Sequence, residues 1–439
     1  MMTACAFTSA TANGPEGAPG PGCVITADGS YAARLALDGA SWYPERWTLD
    51  GPEPYAVPLP VNQPEEPGTE VQPLADGRVL VHRVAARRRH TFSLLYPTGP
   101  GTGERLLGAV ECPAEETRLR LLPPAPTGDR AFALEVGAGT SAVWLVAGGA
   151  RGPERVAEVP GRCSGGVWLD RTGRLLAVDR TPPDGGPTKT VVVDLERDGE
   201  VSPLLQIADG SNDRLLLADA DSGLLLIRSD APSPGQERLG WGVLGSTLPV
   251  RFPECLRLDR PTTPFAIQPG QALTPESCAV ALRIDGPAGS WVGVWRPADR
   301  RVHQLAAPTG WLAGAGLWTR DGVLRLPYAT GAVRCAVALL EVPGATVAAS
   351  ARETGAAMAR ETDERPVPVP PEPSVTRPVT LQQALSPRRA EAAPAPLVWI
   401  RKRQAPVGNK DGSPGHAQGQ GGSRSTTPPA PGTAVVAAR

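Results

Sequence analysis

The sequence predicts an all-β chain, a β-propeller of seven four-stranded blades followed by a disordered C-terminal tail, and three observations carry that expectation. Short apolar runs of strand length recur between residues 23 and 345. Each follows a tight turn, in most cases built on Gly or Asp: Asp28-Gly29, Asp76-Gly77, Gly128-Asp129, Thr172-Gly173, Ser222-Gly223, Glu276-Ser277 and Asp321-Gly322. Counted from the second residue of each pair, or from Gly128 in the third, the intervals are 48, 51, 45, 50, 54 and 45 residues. Those spacings are close to the ~40–50 residues of a propeller blade.

The elements follow in order. After the turns come strand-like runs at 30–37, 78–84, 130–136, 174–179, 224–229, 278–284 and 323–328, and a second run follows at 141–147, 190–195, 290–295 and 332–342. A third, weaker run leads into the next unit, as at 154–159 and 201–208. Gly and Pro number 50 each in 439 residues, which leaves little room for long helices. Gly and Asp suit the turns because primed hairpin turns need positive φ. One small sheet cannot cover its own apolar faces, whereas a radial array covers each sheet with its neighbours. A β-sandwich would also be turn-rich, but seven units at one period favour the ring, with six or eight blades as the alternatives and the stretch 259–270 read as a loop insertion or part of an eroded unit.

The segment Gly166-Val-Trp168-Leu-Asp170-Arg-Thr-Gly173-Arg-Leu-Leu-Ala-Val178, followed by Val191-Val-Val-Asp194-Leu and Gly199, resembles the blade repeat of TolB-like and WD40-like propellers. Leu317-Trp318-Thr-Arg-Asp321-Gly322-Val-Leu-Arg-Leu is a second match, and the other units keep the turn and strand without the Trp and Pro. The resemblance implies a fold and a tendency toward protein interaction, and it implies no reaction.

Residues 1–22, rich in Gly, Pro, Ala and Thr, read as a flexible lead-in. From 346 to 439 there are 14 prolines and one aromatic, Trp399. Such a segment buries too little to offset the ordering of its backbone, so a disordered tail is expected. The seventh unit lacks an obvious fourth strand, which 346–351 or, by a return to the start, 4–11 would supply.

Lys plus Arg total 44 against 45 Asp plus Glu, so no global field recruits nucleic acid or an acidic membrane. No stretch of the sequence reaches the eighteen or more apolar residues of a membrane span, no basic and apolar leader opens the chain, and a cytoplasmic location is the expectation. The seven cysteines are scattered without close pairs, which argues against a disulfide framework or a zinc site. No nucleophile elbow, phosphate loop or paired histidine motif is present, so no cofactor and no catalytic residue is expected.

The best metal candidate is Asp219-Ala-Asp221-Ser-Gly223, because alternating carboxylates before a Gly can turn oxygens toward Ca²⁺; the same residues serve equally as turn chemistry. Arg87-Arg-Arg-His90 reads as a solvated hairpin tip. In the tail, Leu397-Val-Trp399-Ile400 followed by Arg401-Lys-Arg403 has the composition of a peptide that joins a sheet edge or fills a groove, with 379–385 as a possible neighbouring motif. The expectation is therefore a non-catalytic protein-interaction scaffold whose tail recruits a partner protein. The alternatives are a propeller hydrolase, lyase or orphan peptidase-type propeller with a ligand in its channel, or a carbohydrate-binding propeller using Trp42, Trp291 and Trp311. Deleting residues 1–12 lowers the melting temperature if 4–11 closes the ring; an unchanged value in a thermal scan leaves 346–351 as the closing strand.

Overall fold

A computed structural model describes residues 22–342, apart from 87, 272 and 273. Within them the regular structure is strand, with two single-turn 3-10 helices at Glu254–Leu256 and Pro275–Ser277. Blade 1 holds Val24–Ile25, Tyr31–Asp38, Ser41–Thr48 and Tyr55–Pro58. Blade 2 holds Glu70–Pro73, Val79–Ala85, Arg89–Pro97 and Thr102–Glu111; blade 3 holds Arg118–Leu121, Ala131–Val136, Thr140–Ala147 and Glu154–Pro160. Blade 4 follows with Arg162–Trp168, Leu175–Thr181, Lys189–Asp194 and Glu200–Pro203, and blade 5 with Asp213–Ala218, Leu224–Ser229 and Arg238–Val243. Blade 6 is Thr262–Ile267, Val280–Gly286, Gly289–Trp295 and His303–Leu305, and blade 7 is Leu317–Trp318, Val323–Tyr328 and Ala336–Glu341. Inside every blade the strands pair antiparallel in chain order, and a single parallel pair, Lys189 with Asp213, links blades 4 and 5.

The period-2 geometry of a strand explains why the second strand of each blade is so apolar. In blade 5, Leu224 and Leu226 belong to the cluster shared with blade 6, while Leu225 and Ile227 belong to the cluster shared with blade 4. Leu80 of blade 2 faces blade 3, and Val79 and Val81 face blade 1. Phe132 and Leu134 face blade 4, while Ala131 and Ala133 face blade 2. Seven such clusters exist, one at each junction between blades. The seventh joins Cys23, Ala32, Trp47 and Leu49 of blade 1 to Ala315 and the partly buried Val337 of blade 7, and Arg325 donates a hydrogen bond to the Leu49 carbonyl across the same seam at 2.9 Å. The ring is thereby closed by side-chain packing.

One expectation is corrected and one open alternative is decided. Blade 5 has three strands, not four, and blade 7 has three among the described residues. In blade 5 the fourth position is reduced to one bridge between Trp241 and Arg251, because Pro249 and Pro253 lack the N–H that a ladder needs. In blade 7 both candidates for the closing strand, 346–351 and 4–11, lie outside the described residues, as does the tail. The stretch 259–270 is not an insertion: it contains Thr262–Ile267, the first strand of blade 6.

The turns also differ in type. In six of the seven, one glycine takes φ between +71° and +85° (Gly29, Gly77, Gly128, Gly173, Gly223 and Gly322), with no second left-handed residue beside it. In four of these the glycine N–H donates to the carbonyl three residues back, that of Thr26, Leu74, Ala125 or Thr319. These are longer loops with a single left-handed glycine, not primed two-residue turns. The seventh, Pro275–Ser277, lacks the glycine and is a 3-10 turn.

Leu226 is fully buried between blades 5 and 6 and Leu106 is 68% exposed on the outer strand of blade 2. Leu226→Ala is expected to cost about 2–5 kcal/mol and Leu106→Ala to stay within about 0.5 kcal/mol, as read from denaturant unfolding.

Candidate functional site

Blade 2 carries a polar assembly on each face. On the face toward blade 1, the connection between blades 1 and 2 forms one wall of a cleft of about 880 Å³, lined by Pro60, Val61, Pro64, Glu65, Glu66 and Thr69. The opposite wall is Arg83–Ala85 and Thr91 with Thr102 and Glu104. Arg83 is the floor. Its Nε donates to both Glu65 carboxylate oxygens at 3.0 and 2.8 Å, its Nη2 to Glu65 Oε1 at 2.7 Å, and its Nη1 to Glu104 Oε1 at 2.6 Å. Glu65 is buried and Glu104 stands at the rim. The hydrogen bonds it donates to Glu65 hold the guanidinium more firmly charged than usual, against the opposing effect of burial. Burial works against the Glu104 charge, but hydrogen bonds from Arg83 and Ser93 outweigh it and keep its pKa below the usual carboxylate range.

On the face toward blade 3 lies a chain of three side chains. Glu70 Oε2 accepts from His82 Nδ1 at 2.8 Å and from the Leu121 backbone N–H of blade 3 at 2.9 Å. His82 Nε2 then meets His90 Nδ1 at 2.9 Å. Ring stacking holds the row: His82 lies 5.0 Å from Phe92 and 5.1 Å from His90. An ionised Glu70 only accepts, so the proton between it and His82 belongs to Nδ1, and in the tautomer with both rings neutral His90 Nδ1 donates to His82 Nε2. His90 Nε2 is buried without a protein partner.

The sequence reading placed His90 in a solvated tip, and the structure corrects this: His90 is buried, Arg89 pairs with Glu111 at 2.9 Å, and Arg88 Nε donates to the Cys112 carbonyl at 2.9 Å. The signal lay in hairpin parity. With His82 opposite Phe92 and Val84 opposite His90, the two imidazoles fall on one face and diagonal to each other. The cleft residues had a fainter signal, the Pro-rich connection Pro60–Pro67.

The carboxylates of the proposed metal loop are engaged by protein donors. Asp219 Oδ2 accepts from the Ser222 N–H and hydroxyl at 2.8 and 2.7 Å, which is turn chemistry. Asp221 is held by the Arg171 guanidinium of blade 4 and accepts from the Gly270 N–H at 2.9 Å, so it ties three consecutive blades together. Among the described residues no group of three His, Cys, Asp or Glu side chains is arranged to hold a metal ion. Lys189 is at the start of its strand, with Nζ 2.7 Å from Asp213, a fully buried carboxylate that also accepts from Ser211, Ser229 and the Ile207 N–H. Of the three tryptophans considered for sugars, Trp291 is 46% exposed, whereas Trp42 and Trp311 are half-buried and Trp311 donates to the Ala315 carbonyl. Trp42 belongs to blade 1, Trp291 to blade 6 and Trp311 to the connection leading into blade 7. Leu397, Trp399, Ile400, Arg401 and Arg403 lie outside the described residues.

No helix among the described residues is long and apolar enough to cross a membrane. No family model matches the sequence, and no curated protein matches it. Several solved structures are similar in fold. An oligogalacturonate lyase from Vibrio parahaemolyticus is 10% identical, with a TM-score of 0.46 over 73% of this chain and 89% of its own. TolB from Acinetobacter baumannii is 11% identical, with 0.37 over 71% and 80%. The β-propeller domain of the Trilobed protease from Pyrococcus furiosus is 10% identical, with 0.42 over 70% and 90%. The propeller fold itself rests on the pairing within each blade and the packing at each junction described above.

Burial, then the neighbouring His82 ring, push the His90 imidazole below its ordinary value of 6.5. A base with a depressed folded pKa stabilises the fold fully above its unfolded pKa and loses that contribution as pH falls through the folded one. Melting temperature is therefore expected to drop below about pH 6.5, with one proton limiting the slope to about 1.4 kcal/mol per pH unit. A pH series of thermal scans on His90→Phe should show a flatter acid limb than the parent chain.

Proposed function

We propose that this propeller is a non-catalytic protein-interaction scaffold that docks a partner in the cleft between blades 1 and 2. The observation that supports it is the engagement of the cleft's guanidinium by its own carboxylates. Arg83 is bound by two of them at once, so the cleft offers shape, apolar wall and negative charge in place of a free cation. Its volume lies within the ~300–1,000 Å³ of ligand clefts, and Pro60 and Pro64, both exposed, supply apolar surface beside the acidic rim. In this reading the tail segment holding Leu397, Trp399, Ile400, Arg401 and Arg403 is a second contact for the same assembly.

Affinity capture with three chains tests the proposal: the full chain, a chain ending at Ala345, and the full-length double variant Pro60→Gly, Pro64→Gly. Partners lost with the double proline variant but kept by the shortened chain are expected for the cleft, and partners with the reverse pattern for the tail. Identical partner sets for all three would refute both contacts.

A further inference from the structure

Resting on the reading of the cleft as a docking site, we infer that its ligand is an extended peptide segment bearing arginine or lysine. Three carboxylates, Glu65, Glu66 and Glu104, line the cleft against one guanidinium, Arg83, and Glu65 alone neutralises that guanidinium through a buried two-pronged contact. The two remaining carboxylates, Glu66 and Glu104, both stand exposed at the rim. Glu104 spends one oxygen on Arg83 and keeps its charge at neutral pH.

The walls suit the rest of such a segment. Pro60 and Pro64 present apolar surface next to those carboxylates. Lys and Arg bury their aliphatic stems along apolar surface while the charged head stays at the wet edge, which is the arrangement this cleft offers. Pro60 and Pro64 have fixed φ, so one wall is stiff and loses little freedom when it is covered. Arg105, the next residue along the outer strand from Glu104, pairs with Leu94 while Glu104 pairs with Leu95. Strand alternation therefore turns its cation to the opposite face, where it does not offset the rim. An anionic peptide would meet two uncompensated carboxylates and find the one cation among the described lining residues already occupied.

Fluorescence anisotropy with the full chain and three labelled synthetic peptides of one length tests this: one bearing arginines among prolines and valines, one with glutamate at those positions, one with serine. Saturable binding of the arginine peptide alone is expected, with affinity falling as salt is raised. The double variant Glu66→Gln, Glu104→Gln should bind it about tenfold more weakly, and Glu154→Gln, Glu158→Gln on blade 3, both exposed, should bind it as the parent does. Equal binding by the double variant, or no saturable binding by the parent chain, overturns the inference. Binding of the serine or glutamate peptide that disappears in the double variant Pro60→Gly, Pro64→Gly overturns the charge class while leaving the docking site in place. If no peptide binds and that double proline variant captures the parent's full set of partners, the docking site falls too.

Discussion

Two-sided burial of the second strand in each blade is the constraint from which the ring follows. A run such as Leu224-Leu225-Leu226-Ile227 has no polar face to give to water, so its sheet needs a cover on each side. Another copy of the same kind of sheet is the cover that the chain provides. Because each sheet is covered by two others, the arrangement propagates until the last meets the first, as Val337 and Ala315 meet Trp47. Individual contacts of this sort contribute about 1.5–3 kcal/mol per buried side chain, and no single junction carries the fold.

Charge is used as the second fastening, in places where packing alone leaves a gap. Asp213 and Lys189 meet at the parallel pair that joins blades 4 and 5, and Arg171 reaches Asp221 from one blade to the next. The buried Lys189–Asp213 pair gains from mutual attraction only what remains after desolvation, and its carboxylate has further donors: two hydroxyls and a backbone N–H besides the ammonium. The same logic shapes blade 2, where Glu70 serves a histidine of its own blade and a backbone N–H of the next.

Much of the fold was legible because it rests on short-range signals. Period-2 apolar runs and a left-handed glycine are both local, so 224–229 and 323–328 were located to the residue and the turn glycines were found at six of seven positions. What was missed is pairing between strands. His82 and His90 are eight residues apart, a distance without meaning until the hairpin register sets them on one face. Glu65, Arg83 and Glu104 come from a connection, a second strand and a fourth strand, and no spacing in the chain announces their meeting. Asp219 and Asp221 show the converse: a compact motif in the chain whose oxygens the fold directs to a turn and to a neighbouring blade.

The seam between blades 7 and 1 is made of the same material as the six junctions that a connecting segment crosses. Packing therefore does not dictate where the polypeptide must begin. A circular permutant opened at the short link between Pro160 and Arg162, with a flexible tether across the present seam, would present the same seven interfaces to one another. Chain order and ring order are in that sense separable in this molecule.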